Sequence, residues 1–154
     1  MGIKDRLRNR PLVGKACEAS HQIFVDKRGP ARIRETYDKA RDTLRGGMSL
    51  VVFPEGSRSF TGHMGLFRKG AFQLADDLQL PVVPLTIDGS FDVLTRMAGV
   101  NFVHWHPLRL VIHKPIYPTS HSPEDVRQTM EESYRVIMSA LPEKYQGYVK
   151  NEDQ

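Results

Sequence analysis

The sequence predicts an α/β fold with a mainly parallel sheet flanked by helices. Strand-like and helix-like segments alternate through the first two-thirds of the chain, the pattern that builds such sheets. The strand-like runs, such as Leu50-Val51-Val52-Phe53, are continuously apolar rather than alternating, as expected of strands covered on both faces. The composition, with 154 residues, 40% hydrophobic and 26% charged, suits one globular domain with a single core.

The elements follow in order. Residues 3–19 read as a short helix interrupted near Pro11 and Gly14. Ile23-Phe24-Val25 reads as a strand that runs into a turn at Asp26-Lys27-Arg28-Gly29-Pro30. Ile33, Tyr37, Ala40 and Leu44 recur at helical spacing over residues 31–45, and Gly46-Gly47 stops that helix. Ser49–Phe53 reads as a buried strand ended by Pro54, and Glu55–Gly65 as irregular chain. A helix is expected from about Lys69 to Leu78, then strands at Val82–Ile87 and Leu108–His113. Ser122-Pro123-Glu124-Asp125 combines a capping serine, a proline in the first turn and acids at the positive end of the helix dipole. It predicts a helix from there to about Ala140. The domain is expected to cover residues 1–141, with a frayed tail over 142–154.

Bulk properties narrow the function classes. The net charge of +4 favours anionic partners: phosphorylated substrates, lipid headgroups or nucleic acid. No recognised nucleic-acid motif accompanies it, and no basic stripe interleaved with aromatics, so nucleic acid is not expected. Cys17 is the single cysteine, so no internal disulfide is possible and a small buried residue is expected there. No apolar run approaches the roughly 18 residues of a membrane span, and the polar start MGIKDRLRNR is not a signal peptide. Arg6 stands where a myristoylation motif requires Ser or Thr. These features predict a cytoplasmic chain with at most peripheral membrane contact. Lys4, Arg6, Arg8 and Arg10, with Ile3, Leu7 and Leu12, form one segment able to touch an anionic surface, or equally a plain solvated helix face. His104, His106 and His113 lie close in sequence, but a metal site needs at least three convergent ligands, and ordinary polar positions beside Trp105 are expected instead.

The stretch richest in chemistry is Phe53-Pro54-Glu55-Gly56-Ser57-Arg58-Ser59. It begins at the carboxyl end of an expected strand, where open α/β sheets bind ligands. Gly56 permits close approach of backbone to a ligand, and Arg58 offers a planar fork of donors suited to phosphate. Glu55 can accept a hydroxyl hydrogen bond or orient the arginine. A surface loop with an incidental ion pair is the alternative reading.

FPEGSRS resembles the FPEG[TS]R signature of the glycerolipid acyltransferases, the PlsC-like family. Three more blocks resemble that family in the right order. Ile23-Phe24-Val25-Asp26-Lys27-Arg28 is similar to its FIDR block, Leu66-Phe67-Arg68-Lys69-Gly70-Ala71-Phe72 to its PFKxGAF segment, and Val82-Val83-Pro84-Leu85-Thr86-Ile87 to its fourth, strand-forming block. The resemblance implies a glycerol-3-phosphate acyltransferase-like fold. It also implies acyl transfer from acyl-CoA or acyl carrier protein to lysophosphatidate or a related glycerol phosphate, with no cofactor beyond the donor. Glu55, Gly56, Ser57 and Arg58 match the block that binds the acceptor's phosphate and glycerol; Lys27 and Arg28 match the basic end of FIDR, with Lys27 where the family has Arg.

In that family a His-x4-Asp pair takes the acceptor's proton. That block lies well upstream of FIDR, whereas Arg8–Gly14 here already resembles the stretch that follows it. The resemblance therefore implies a partial domain missing its first elements, with the catalytic pair unmatched and an apolar sheet edge or face left uncovered. The alternative is a noncatalytic remnant that binds phosphate or lipid. His21 and Asp26 share the His-x4-Asp spacing, but the expected strand between them would hold them about 16 Å apart and on opposite faces, so the pair is set aside.

Overall fold

The computed structural model describes residues 2–4, 15–16, 19, 23–25, 29–95 and 103–148. The chain forms two compact units, Met1–Phe53 and Pro54–Gln154.

In the first unit, strand β1 (Gly2–Lys4) pairs in parallel with β2 (Ile23–Val25), Ile3 opposite Phe24. The helix expected over residues 3–19 is thus corrected at its start: Ile3 and Lys4 belong to a strand, and helical backbone is described only at Lys15, Ala16 and Ala19. Helix α1 (Pro30–Arg45) begins with proline in its first turn, where a missing N–H costs nothing, and packs against β2. Ala40 is its buried residue, while Arg32–Glu35 and Lys39–Glu35 pair along its exposed side. Such exposed, solvent-screened pairs add little to stability. Gly47, at φ 84°, ends the helix in the left-handed region that suits glycine.

The expected strand Ser49–Phe53 pairs with nothing among the described residues, and Val51, Val52 and Phe53 are exposed. An apolar run needs a neighbouring ladder to become a strand, and hydropathy cannot supply one.

In the second unit, helix α2 (Gly70–Asp77) buries Phe72, Leu74 and Asp76 and packs against α4 (Pro123–Ser139). Helix α4 buries Val126, Thr129 and Ser133 at helical spacing and also packs on strand β3 (Leu85–Asp88). Among the described residues of this unit, Met64, Phe72, Leu74 and Val126 are buried apolar side chains. Phe67 stacks at 6.1 Å on Phe72 and meets Tyr134 edge-on at 5.0 Å. The start of α4 is held as its sequence implies. Ser122 Oγ accepts from the Asp125 N–H at 3.1 Å. The Asp125 carboxylate in turn accepts from Thr119 N–H (2.9 Å), Thr119 Oγ1–H (2.7 Å) and Ser120 N–H (3.2 Å).

Strand β3 pairs with β4 (Arg109–Ile112), and the pairing is antiparallel: Leu85 opposite Ile112, Ile87 opposite Leu110. An isolated bridge, Val82 to Ile116, extends it. The sheet is therefore not mainly parallel among the described residues, which contain one parallel and one antiparallel pair. A parallel return from Asp88 would need a crossover that packs a helix on the sheet, and the one described helix in that connection is the single turn α3 (Ser90–Val93).

Of the tail expected over 142–154, residues 149–154 lie outside the described residues. Glu143–Tyr145 forms a 3-10 turn, and the Tyr145 hydroxyl donates to Asp92 Oδ1 at 2.7 Å while its ring meets Phe91 edge-on at 5.7 Å. Tyr145 is half-buried, with its hydroxyl satisfied by Asp92.

Candidate functional site: the arginine loop at residues 54–68

The loop that follows Pro54 is closed by its own polar groups. Gly56 takes φ 74°, in the left-handed region, and the chain returns so that Arg68 N–H donates to Pro54 O at 2.9 Å. Glu55 Oε2 accepts the Gly65 N–H at 2.7 Å. Burial holds the Glu55 carboxyl above the usual range, against the opposing pull of the Gly65 N–H. Arg68 lies over the turn: its Nε donates to Glu55 O at 3.4 Å, and a Cβ on Gly56 would come within 2.9 Å of that nitrogen. Gly56 is thus favoured by its backbone angle, and a side chain there would push the arginine aside.

The loop's far side rests on aromatic and hydroxyl groups. Tyr134 Oη–H donates to Met64 O at 3.4 Å, and burial, with the nearby Glu55 carboxylate, raises the tyrosine's pKa. Ser59 Oγ accepts the Thr61 N–H at 3.1 Å, and Thr61 Oγ1 accepts the His63 N–H at 3.3 Å. Gly62, at φ 83°, brings the backbone under Tyr145, whose ring also meets His63 edge-on at 6.3 Å. His63 Nδ1 is buried without a hydrogen-bond partner among the described residues. The Tyr145 hydroxyl, and behind it Lys144 at 3.4 Å, holds the Asp92 carboxyl below the usual range.

The arrangement leaves Arg58 and Arg68 exposed on one closed loop, Ser57 half-buried between Gly56 and Arg58, and Glu55 turned inward. Glu55, Gly56, Ser57 and Arg58 therefore share the loop, but the Glu55 carboxylate bonds the loop's own backbone. His21, Asp26, Lys27 and Arg28 lie outside the described residues. Ile23–Val25, between His21 and Asp26, is a strand. Arg68 and Tyr145 hold the loop, a role that sequence reasoning did not assign to them. The signal for Arg68 was its place opposite the glycine turn; no local signal marked Tyr145, which arrives from 80 residues beyond Gly65.

Among the described residues no three His, Cys, Asp or Glu side chains converge as metal ligands. His113 Nε2 bonds Thr86 Oγ1 at 2.8 Å and His106 Nδ1 bonds Pro107 O at 2.9 Å. No described helix is long and apolar enough to cross a membrane.

Helices packed against short strands make this an α/β protein. The family model for acyltransferases matches residues 1–88, and the chain belongs to that family. It is similar to the chloroplastic 1-acyl-sn-glycerol-3-phosphate acyltransferase BAT2 of Brassica napus, at 32% identity over 70% of this chain and 31% of that one. A probable 1-acyl-sn-glycerol-3-phosphate acyltransferase of Mycoplasma pneumoniae is 27% identical over 75% of this chain and 45% of the relative. The crystal structure of the 1-acyl-sn-glycerophosphate acyltransferase PlsC from Thermotoga maritima matches 97% of this chain and 58% of that one, with a TM-score of 0.70 and 26% identity. The chain thus spans between about a third and three-fifths of the length of these relatives.

Proposed function

We propose that the chain serves acyl transfer to lysophosphatidate, or to a related glycerol phosphate, in phospholipid synthesis, with acyl-CoA or acyl carrier protein as donor. The observation that carries this reading is the closed loop of residues 54–68, which turns Glu55 inward and has Arg58 as an exposed residue. A fixed loop presenting a planar cation suits the acceptor's phosphate, and the names of the similar proteins specify that class of acceptor. Ser57 and Gly56 border the same bound group. In the transfer, the acceptor hydroxyl attacks the thioester carbonyl, its proton passes to a base, and the carrier thiol leaves. The partners are the lysophospholipid, the acyl donor and the cytoplasmic face of an anionic membrane, touched peripherally.

A second reading, a noncatalytic module that binds phosphate or lipid, is favoured by one observation. His21 and Asp26 are the single His-x4-Asp pair of the sequence, and a strand separates them. One experiment tests both readings: lysophosphatidate binding and acyl transfer from acyl-CoA, measured on the chain and on Arg58→Ala and His21→Ala. Arg58→Ala should weaken binding by about tenfold or more, the worth of a charge-assisted hydrogen bond. Unchanged binding would overturn the assignment of the loop. Binding that depends on Arg58 without turnover supports the second reading, and turnover abolished by His21→Ala makes His21 the base.

A further inference from the structure

The stretch after Arg58 is coiled by its own hydroxyls. Ser59 Oγ accepts the Thr61 N–H at 3.1 Å, and Thr61 Oγ1 accepts the His63 N–H at 3.3 Å. Ser59, the residue next to Arg58, is thereby tied to a turn that carries Gly62 at φ 83°. The Tyr145 ring lies against that turn, since a Cβ on Gly62 would come within 2.4 Å of Tyr145 Cε1. The same ring meets His63 edge-on at 6.3 Å and Phe91 edge-on at 5.7 Å. Its hydroxyl donates to Asp92 Oδ1 at 2.7 Å, and Lys144 Nζ lies 3.4 Å from the same oxygen.

This brace stands apart from the packed interior. Gly62, His63, Phe91, Asp92 and Tyr145 are all half-buried, whereas Phe72, Leu74 and Val126 are buried between α2 and α4. Loosening the brace therefore bears on the loop more than on the fold of the unit. Packing alone would be served by a phenylalanine. The hydroxyl adds a bond to a charged acceptor, the stronger class of hydrogen bond, and fixes the ring where it meets the turn. A loop ordered before its ligand arrives does not lose that freedom on binding, so a cation held in place binds an anion more tightly.

We propose that Tyr145, held by Asp92, is a positioning residue for the arginine loop and acts on the acceptor's phosphate through Arg58. The inference deepens the proposed function and rests on its reading of Arg58 as the phosphate ligand.

The test titrates the full chain with sn-glycerol 3-phosphate by phosphorus NMR, for the wild type, Tyr145→Phe, Arg58→Ala and the double variant, with thermal melting alongside. Tyr145→Phe keeps the ring against Gly62 and removes only the bond to Asp92, which retains Lys144. It should weaken binding about fivefold, within the worth of a hydrogen bond to a charged group. In the Arg58→Ala background the same change should alter binding by less than about twofold, because the tyrosine acts through the arginine. Asp92→Asn retains an oxygen to accept the hydroxyl and should bind as the wild type does, whereas Asp92→Ala should match Tyr145→Phe. A lowered melting temperature with unchanged affinity would make the brace merely structural and overturn the proposal. An equal loss of affinity with and without Arg58 would overturn it too, since the tyrosine would then act by another route. Binding weakened by Arg58→Ala but by neither Tyr145→Phe nor Asp92→Ala would remove the positioning role and leave the proposed function standing. Binding unchanged by Arg58→Ala would remove both.

Discussion

The two faces of the β3–β4 ribbon invert the usual polarity of a sheet. The covered face is polar. Thr86 is fully buried and its hydroxyl proton goes to Ile137 O, so His113 Nε2–H must be the donor to Thr86 Oγ1. Asp88 and Arg109 pair beside it, and Arg109 also donates to Ala140 O at 2.8 Å. The open face is aliphatic. Satisfied polar groups thus fix the register of the ribbon on its helix, while the area that would ordinarily drive packing is left for something else. The loop of residues 54–68 follows the covered face, since its one buried carboxylate also bonds an internal N–H.

The largest effect should come from breaking the covered face. Thr86→Val keeps the shape, orphans His113 Nε2–H and leaves Ile137 O with the Ala140 N–H alone, at a cost of about 3 kcal/mol in denaturant unfolding. A change below about 0.5 kcal/mol would show that the ribbon is not held by those bonds. Next is Glu55→Ala, which strands the Gly65 N–H and should cost about 2 kcal/mol, whereas Glu55→Gln retains an acceptor and should cost little.

Smaller is Ser122→Ala, which removes the cap of α4 and should cost about 1 kcal/mol. Its neighbour Asp125 carries a pH signature. The Thr119 hydroxyl and the backbone N–H groups of Thr119 and Ser120 hold its carboxyl below the usual range. Its stabilisation is therefore present above the unfolded carboxylate value of about 3.9 and lost as pH falls through the lowered folded value. Glu55 has the opposite sign. With its folded pKa raised, its ionisation opposes folding as pH rises from about 4.3 through that raised value. Stability against pH measured on Asp125→Asn and Glu55→Gln should lose the first slope in one variant and the second in the other. The smallest effect belongs to the open face: Leu110→Thr should change stability by less than about 0.5 kcal/mol, and a loss above about 1.5 would mean that face is covered within the chain.

Much of this was legible in the sequence, unevenly. Helix α4 was, because Ser122, Pro123, Glu124 and Asp125 each act locally on its first turn. The family was, because four ordered blocks carry more information than one motif, and the acyltransferase match covers all four. The antiparallel pairing of β4 was not, because apolar runs encode burial rather than direction. Ser49–Phe53 misled for the same reason. Within the site, the irregular loop after Pro54 with Gly56 in it was legible, but the inward turn of Glu55 depends on Gly65, ten residues on, and on a backbone angle that residue identity permits without requiring. The bond of Tyr145 to Asp92 spans 53 residues, beyond any local rule.

The tight seat of Tyr145 has a consequence of its own. A Cβ on Gly62 would fall 2.4 Å from the tyrosine ring, so the two positions occupy one space and cannot both enlarge. The last described turn, Glu143–Tyr145, is thereby wedged against the loop at Gly62, so that enlarging either partner displaces the other.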